Sequence, residues 1–154
     1  MGPSHDWRPI KPDSLAGYLA AMSRPILSTG MSWKVVSAKW SGISDAMSGF
    51  DPQAVAGMTD DDVERLVSDT RMIRNRKKIE AIIANAQRLL ELDNEYGGFD
   101  RYLRAHGSFD QTVAALRGDF RFLGPGGAYY FLYGVGEPVP SHDEWSASRE
   151  RRAS

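Results

Sequence analysis

The stretch NRKKIEAIIANAQRLLELDNEYGG, Asn75 to Gly98, carries the clearest structural pattern in the chain. Its apolar side chains recur three or four residues apart, which is the spacing of one face of an α-helix. They are Ile79, Ile82, Ile83, Ala86, Leu89 and Leu90. Asn75 is a favourable N-cap, and the glycines at 97 and 98 end a helix readily. The stretch therefore predicts a long helix whose apolar face must be covered by other elements.

Shorter helical patterns precede this helix. Asp13 is a favourable N-cap and predicts the start of a first helix. We expect this helix to end before Pro25, because the residue before a proline avoids helical angles. Ser32 is the predicted N-cap of a second helix, and four apolar side chains of this helix share one face. They are Trp33, Val36, Trp40 and Ile43. The pattern Phe-Asp-Pro at 50–52 and the acidic turn that begins at Thr59 predict two further short helices.

Three more helical patterns follow the long helix. FDRYLRAH and, after Ser108, FDQTVAALR predict two helices that are each closed by a glycine. FRFLGPGGAYYFLYGVG, Phe120 to Gly136, predicts a glycine-rich turn and then an aromatic helix, while SHDE at 141–144 is a capping box for a polar terminal helix. No stretch alternates as a β-strand does. We therefore expect residues 1–154 to form a single all-α domain of about eight helices, with 1–12 and 147–154 loosely ordered.

Composition narrows the function classes. The chain of 154 residues is 42% hydrophobic and has no cysteine, so disulfides and thiolate metal sites are excluded. With only His5, His106 and His142 as imidazole ligands, we expect neither a metal nor a cofactor. No apolar run is long enough to span a bilayer, and the start lacks the apolar core of a signal peptide. These features predict a cytoplasmic protein without a membrane contact.

Charge is unevenly distributed along the chain. The net charge of −1 gives no general attraction to nucleic acid, yet five of the eight residues in RMIRNRKK, Arg71 to Lys78, are cationic. One interpretation is a solvated turn between helices. The other is a patch on a cleft rim that neutralises DNA phosphates, with Arg74 and Arg76 among the contacts.

The glycine-rich turn is the best candidate for binding an anion. A Gly-Pro-Gly-Gly sequence at a helix start leaves backbone amides free where the helix dipole favours negative charge. We predict that Gly124, Gly126 and Gly127 contact a DNA phosphate and that Arg121 assists. Such contacts position DNA without reading its sequence. The alternative is a plain turn between two helices.

Three stretches together resemble the 3-methyladenine DNA glycosylase I family of the helix-hairpin-helix superfamily. They are GMSWKVVSAKW, FDPQAVAGMTDDDVERLVSDTRMIRNRKKIEAIIANAQ and FRFLGPGGAYYFLYGVG. The resemblance implies a helix-hairpin-helix DNA glycosylase-like helical domain with two lobes and a DNA-facing cleft. It also implies an enzyme that hydrolyses the N-glycosidic bond of an alkylated purine such as 3-methyladenine, flipped out of double-stranded DNA.

The resemblance assigns roles to individual residues. Trp33 occupies the position of the family's base-stacking tryptophan, although its spacing alone favours core packing. Trp40 should pack inside, and Tyr129 and Tyr130 should add aromatic contacts to the base. Asp143 stands about where the wider superfamily has a catalytic aspartate; its simpler interpretation is a carboxylate that complements the dipole of the terminal helix.

Two departures from the family limit what can be carried over. The family's zinc is held by two cysteines and two histidines; here His142 lies near one ligand position, but Ser146 stands where a cysteine is expected. The zinc site is therefore absent, and the termini should be looser or held by packing of Trp7 and Trp145.

The second departure concerns the base. Pro25 replaces a glutamate that in the family accepts hydrogen bonds from the alkylated adenine, and losing such bonds costs about 1.5–3 kcal/mol each. Two hypotheses follow: an active glycosylase whose specificity has shifted, or a catalytically inactive glycosylase-like protein that binds DNA or another partner.

Overall fold

The computed structural model describes residues 8–153, with side chains up to Arg149. Within this range it contains α-helices, one short 3-10 helix at Ser48–Phe50 and no strand, which confirms the all-α prediction. The helices are α1 (Leu15–Ser28), α2 (Trp33–Ala46), α3 (Pro52–Ala56), α4 (Asp60–Val67), α5 (Arg76–Tyr96), α6 (Phe99–Leu103), α7 (Phe109–Asp119), α8 (Pro125–Gly134) and α9 (His142–Ala153). No helix in the described part of the chain is long and apolar enough to cross a membrane.

The long helix α5 lies at the centre of the fold. The Asn75 side chain accepts a hydrogen bond from the Lys78 amide at 3.2 Å, and Gly97 ends the helix at a φ of 70°, as predicted. The apolar face of α5 is buried against α1, α3, α4 and α6. A helix covered on several sides can position the elements around it, and α5 does so for the cleft described below.

Helix α1 differs from its prediction at both ends. Its N-cap is Ser14 rather than Asp13, and it continues through Pro25 to Ser28. An internal proline costs about 3 kcal/mol or more because it removes a backbone hydrogen bond. The turn that follows buries Ile26 and Leu27 completely, which offsets this cost at about 1.5–3 kcal/mol per side chain.

The last turn of α1 is held by a lysine from α5. The Lys78 ammonium donates hydrogen bonds to the carbonyl oxygens of Leu27 at 3.1 Å and Thr29 at 2.5 Å. This side chain is only 5% exposed, and burial lowers its pKa. The sequence places Lys78 in a solvated or DNA-facing basic run, and both interpretations are wrong for this residue. It caps a helix end, where carbonyl groups lack intrahelical partners.

The predicted capping residues of the other helices have mixed outcomes. The capping box of Thr59 and Asp62 forms, and Ser32, Ser108 and Ser141 each accept a hydrogen bond from the first turn of their helix. Asp51 precedes α3 without a side-chain cap bond.

The prediction that a glycine closes each of the helices α6 and α7 is wrong. Helix α6 ends at Leu103 with Arg104 as its C-cap, before Gly107, and α7 passes through Gly118 to Asp119. The Asp119 carboxylate accepts hydrogen bonds from Tyr102 at 2.6 Å and Arg88 at 2.7 Å, which hold a negative charge at an otherwise unfavourable helix end.

The tryptophans occupy different environments. Trp40 packs on the core as predicted, stacked on Phe50 with a centroid distance of 5.3 Å. Trp145 of α9 stacks on Tyr129 of α8 at 4.3 Å, so the terminal helix is attached to the fold by aromatic packing. Trp7, expected to share this role, lies outside the described residues.

We predict that Lys78→Met lowers the free energy of unfolding by about 1–3 kcal/mol, because it leaves carbonyl groups at the end of α1 without a donor. Lys77→Met is the matched control, since Lys77 is an exposed neighbour on the same helix and should change stability by less than about 0.5 kcal/mol. Urea unfolding of both variants measures the difference. Equal effects of the two substitutions would contradict the capping role of Lys78.

Candidate functional site

A cleft of about 1100 Å³ opens between two walls of the protein. The first wall contains Pro25 and residues 28–33, which are the end of α1, the connection to α2 and the first residue of α2. The second wall runs from the end of α7 to the first turn of α8. Its lining residues are Arg117, Gly118, Phe120, Phe122, Leu123, Gly124, Gly126 and Gly127. Tyr130 of α8 also lines the cleft.

Trp33 stands in the first wall, half-buried and accessible from the cleft. Its ring makes an edge-to-face contact with Tyr130, with centroids 5.4 Å apart. Val36, one turn further along α2, is fully buried. The apolar residues of α2 therefore have two roles: the first one, Trp33, lines the cleft, and the later ones pack on the core.

The second wall is fixed to α5 by an amide clasp. The buried Asn85 side chain donates to the Arg121 carbonyl at 3.0 Å and accepts from the Arg121 amide at 2.8 Å. Both backbone groups of one residue are thus held in the turn between α7 and α8. The turn cannot shift without breaking both hydrogen bonds to the buried Asn85 side chain.

The glycines of the second wall serve different physical needs. A Cβ at Gly127 would lie 3.1 Å from Leu123 Cδ1, so the Leu123 side chain would have to shift, whereas its distance of 3.7 Å from Pro25 Cβ in the other wall is an ordinary contact. A Cβ at Gly124 would meet nothing within 4 Å, and one at Gly126 would make only an ordinary contact with Trp145. Backbone amides in the first turn of α8 lack intrahelical acceptors, which suits an anion.

The two predicted tyrosines separate because neighbouring helix residues point about 100° apart. Tyr130 is half-buried and lines the cleft, and burial raises the pKa of its hydroxyl. Its hydroxyl lies 3.3 Å from His142 Nε2. Tyr129 is buried, donates a hydrogen bond to the Pro140 carbonyl at 2.8 Å and does not line the cleft. Its position is that of a packing residue between α8 and α9.

Two arginines of the basic run form ion pairs with carboxylates of this chain. Arg71 pairs with Asp69 at 2.7 Å, and hydrogen bonds from Arg71 lower the pKa of that carboxyl to about 2. Arg76 pairs with Glu64, and Arg74 is exposed in the connection between α4 and α5. None of these arginines lines the cleft.

Two other predicted site residues also lie away from the cleft lining. The sequence analysis predicts that Arg121 assists phosphate binding, but its side chain is exposed and does not line the cleft. The arginine that lines the cleft is Arg117. Asp143 is exposed in the first turn of α9 and does not line the cleft. Among the described side chains that line the cleft there is no carboxylate.

Several lining residues carry no signal in the sequence that marks them as site residues, among them Arg117, Met31 and Phe122. Phe122 belongs to the quoted pattern F-x-F-x-G, but its backbone conformation, a φ of 60°, has no signal in the sequence. Pro25 was placed at the family's glutamate position, and it does lie in the cleft. The hydroxyl of Thr29 beside it donates to the Pro25 carbonyl at 3.0 Å, so this carbonyl already has a donor within the fold.

Sequence and structure comparisons both find similarity to methyladenine glycosylases. A family model described as methyladenine glycosylase matches residues 21–118. DNA-3-methyladenine glycosylase 1 of Escherichia coli strain K12 is 45% identical over 64 residues, which are 42% of this chain and 34% of that protein. The match thus spans only about a third of the curated relatives' length.

Solved structures cover more of the chain. A crystal structure of 3-methyladenine DNA glycosylase I has a TM-score of 0.73 and 25% identity, covering 85% of this chain and 84% of that one. The Staphylococcus aureus enzyme, solved to explain 3-methyladenine recognition, has a TM-score of 0.71 and 28% identity, covering 86% of this chain and 81% of that one. The helical architecture is therefore similar over most of the chain.

We predict that Asn85→Ala lowers the free energy of unfolding by about 2–3 kcal/mol, because two buried hydrogen bonds are lost. The Arg121 amide should then exchange with solvent much faster, as measured by hydrogen exchange in NMR spectra. Asn94→Ala, at an exposed position of the same helix, is the control and should change neither quantity. An unchanged exchange rate at Arg121 in Asn85→Ala would refute the clasp.

Proposed function

The chain belongs to the methyladenine glycosylase family, and from this premise we propose that it hydrolyses the N-glycosidic bond of an alkylated purine flipped out of double-stranded DNA. The observation that supports this most is the position of Trp33 in the cleft. An indole reachable from solvent, with a second aromatic ring at 5.4 Å, suits a nucleobase that has left the helix.

The arrangement of the second wall supports the same proposal. The first turn of α8 opens into the cleft that contains Trp33, so one DNA strand could meet both. The amides of this turn would hold a phosphate next to the flipped nucleotide, and Arg117 would add a positive charge. Contacts of this kind fix the position of DNA, while the cleft selects the base.

The proposed chemistry depends on the leaving group. A purine nucleotide alkylated at a ring nitrogen such as N3 or N7 is cationic, and its base leaves readily, so the reaction needs little help from an acid. Binding that favours the extruded, departing base over competing bases can then supply much of the selectivity. The assignment of Asp143 as a catalytic residue stays a prediction; its exposed position outside the cleft lining does not favour it.

Pro25 influences which base would be selected. With a proline in the cleft and no carboxylate among its described lining side chains, stacking and shape would dominate recognition. We therefore propose a specificity that is shifted from that implied by the family's glutamate. The same observation favours a second candidate, a protein that binds DNA through the same cleft without excising a base.

We predict that Trp33→Ala reduces the rate of base release from methylated double-stranded DNA by about ten- to a hundredfold, since stacking on an aromatic side chain contributes about 1–3 kcal/mol per base. Val35→Ala is the control, because Val35 is an exposed residue of the same helix turn that does not line the cleft. Chromatography of the released 3-methyladenine and 7-methylguanine measures the rate. If the wild-type protein binds this DNA but releases no base above background, the non-enzymatic candidate is correct.

We predict that Gly126→Glu weakens DNA binding while leaving stability unchanged or raised. A carboxylate in the first helical turn complements the dipole, but it repels a phosphate. Gly126→Gln is the matched neutral control. For Gly126→Glu, the slope of log affinity against log salt should fall in magnitude by about 0.9 for one lost phosphate contact. Equal DNA affinity of the glutamate and glutamine variants would refute a phosphate site at this turn.

A further inference from the structure

Two phenylalanines of this chain have a backbone conformation that bulky side chains rarely adopt. Phe50 has a φ of 58° and Phe122 a φ of 60°, both in the left-handed region. For an L-residue this region brings Cβ close to the following carbonyl oxygen, which costs conformational energy. Such a cost persists only where something compensates it.

Burial compensates the cost at Phe50 but not at Phe122. Phe50 is fully buried and stacked on Trp40, so its ring contributes to the core. Phe122 is 46% exposed, and none of the ring contacts among the described side chains involves it. Core packing therefore offsets little of the conformational energy that the left-handed backbone costs at Phe122.

The turn itself does not need an aromatic side chain at this position. Asn85 fixes the preceding residue, Arg121, through both of its backbone groups, and Leu123 is buried on the other side. A glycine between them would adopt a positive φ without the steric cost. An aromatic ring kept at a strained and exposed position indicates a use outside the fold.

The position of Phe122 suggests what that use is. Phe122 lines the cleft from the wall between α7 and α8, whereas Trp33 lines it from the wall between α1 and α2. A planar base that enters between these walls presents one face to each. We propose that Phe122 stacks on the flipped base, on the face opposite to the one that Trp33 covers; this rests on the proposed function.

A base held between two aromatic rings loses water from both faces, and stacking needs no hydrogen-bond complementarity. This arrangement suits a cleft whose described lining side chains include no carboxylate. Phe122 would thus supply binding energy in a cleft where Pro25 offers no charged acceptor.

The test compares stability with affinity for the free base. Phe122→Asn is the informative variant, because asparagine tolerates the left-handed region far better than phenylalanine does. Its unfolding temperature should equal or exceed that of the wild-type protein, while its affinity for free 3-methyladenine, measured by calorimetry, should fall about tenfold. Phe122→Tyr should keep the wild-type affinity for 3-methyladenine, because the aromatic ring remains. Trp33→Ala should lower this affinity as Phe122→Asn does.

Other outcomes would overturn the proposal. A lower unfolding temperature of Phe122→Asn would assign Phe122 a structural role. Unchanged affinity for 3-methyladenine together with weaker binding to a duplex with an abasic site would place the ring against the stacked strand instead. If the wild-type protein binds neither free 3-methyladenine nor free 7-methylguanine, the proposed function fails and this inference with it. That outcome is distinct from wild-type binding of either base that Phe122→Asn leaves intact.

Discussion

The separation of the two cleft walls is set by buried hydrogen bonds from a single helix. Lys78 and Asn85 are seven residues apart on α5, which is about two helical turns, so they lie on the same side of it. The Lys78 ammonium binds carbonyl groups at the end of α1, and the Asn85 amide binds both backbone groups of Arg121. Each wall is irregular backbone at a helix end, and such backbone is held in place only when its polar groups find partners. The apolar face of α5 secures the helix in the core, and these two polar side chains transfer that rigidity to the cleft.

Three departures from local rules lie around the same cleft. A proline lies inside α1, a lysine is buried beneath the end of that helix, and a phenylalanine adopts a left-handed conformation in the opposite wall. Each feature costs free energy locally, and for the first two the compensation is visible in buried apolar side chains and in hydrogen bonds. Natural sequences tend to violate local rules where function requires it. These three surround the space where a base is proposed to bind, whereas the left-handed conformation of Phe50, outside the cleft lining, is accounted for by its burial in the core.

The electrostatics of the surface fit local rather than global attraction of DNA. The chain has a net charge of −1, and two of the five cations in its most basic stretch pair with carboxylates, Arg71 with Asp69 and Arg76 with Glu64. What remains at the cleft is the positive end of α8 and the side chain of Arg117. A site of this kind would bind one phosphate in a defined place and would add little non-specific affinity along the duplex. Selection would then depend on the cleft, whose described lining side chains include aromatic rings and a proline but no carboxylate.

Local sequence signals are sufficient for the elements that depend on neighbours within one or two helical turns. The apolar periodicity and caps of α5, the cap of Ser32 and the capping box of Thr59 all formed as predicted, because these signals act between residues close in the chain. The tryptophan at 33 was placed in the cleft only through the family resemblance, since its spacing alone favours the core. Tertiary structure decided the rest: α1 continues past Pro25 because Ile26 and Leu27 become buried and Lys78 caps its end. It also decided which of two adjacent tyrosines faces the cleft, which arginines are neutralised and that Phe122 is exposed. These outcomes depend on contacts between residues distant in the chain, whose free energies exceed local preferences and leave no local pattern.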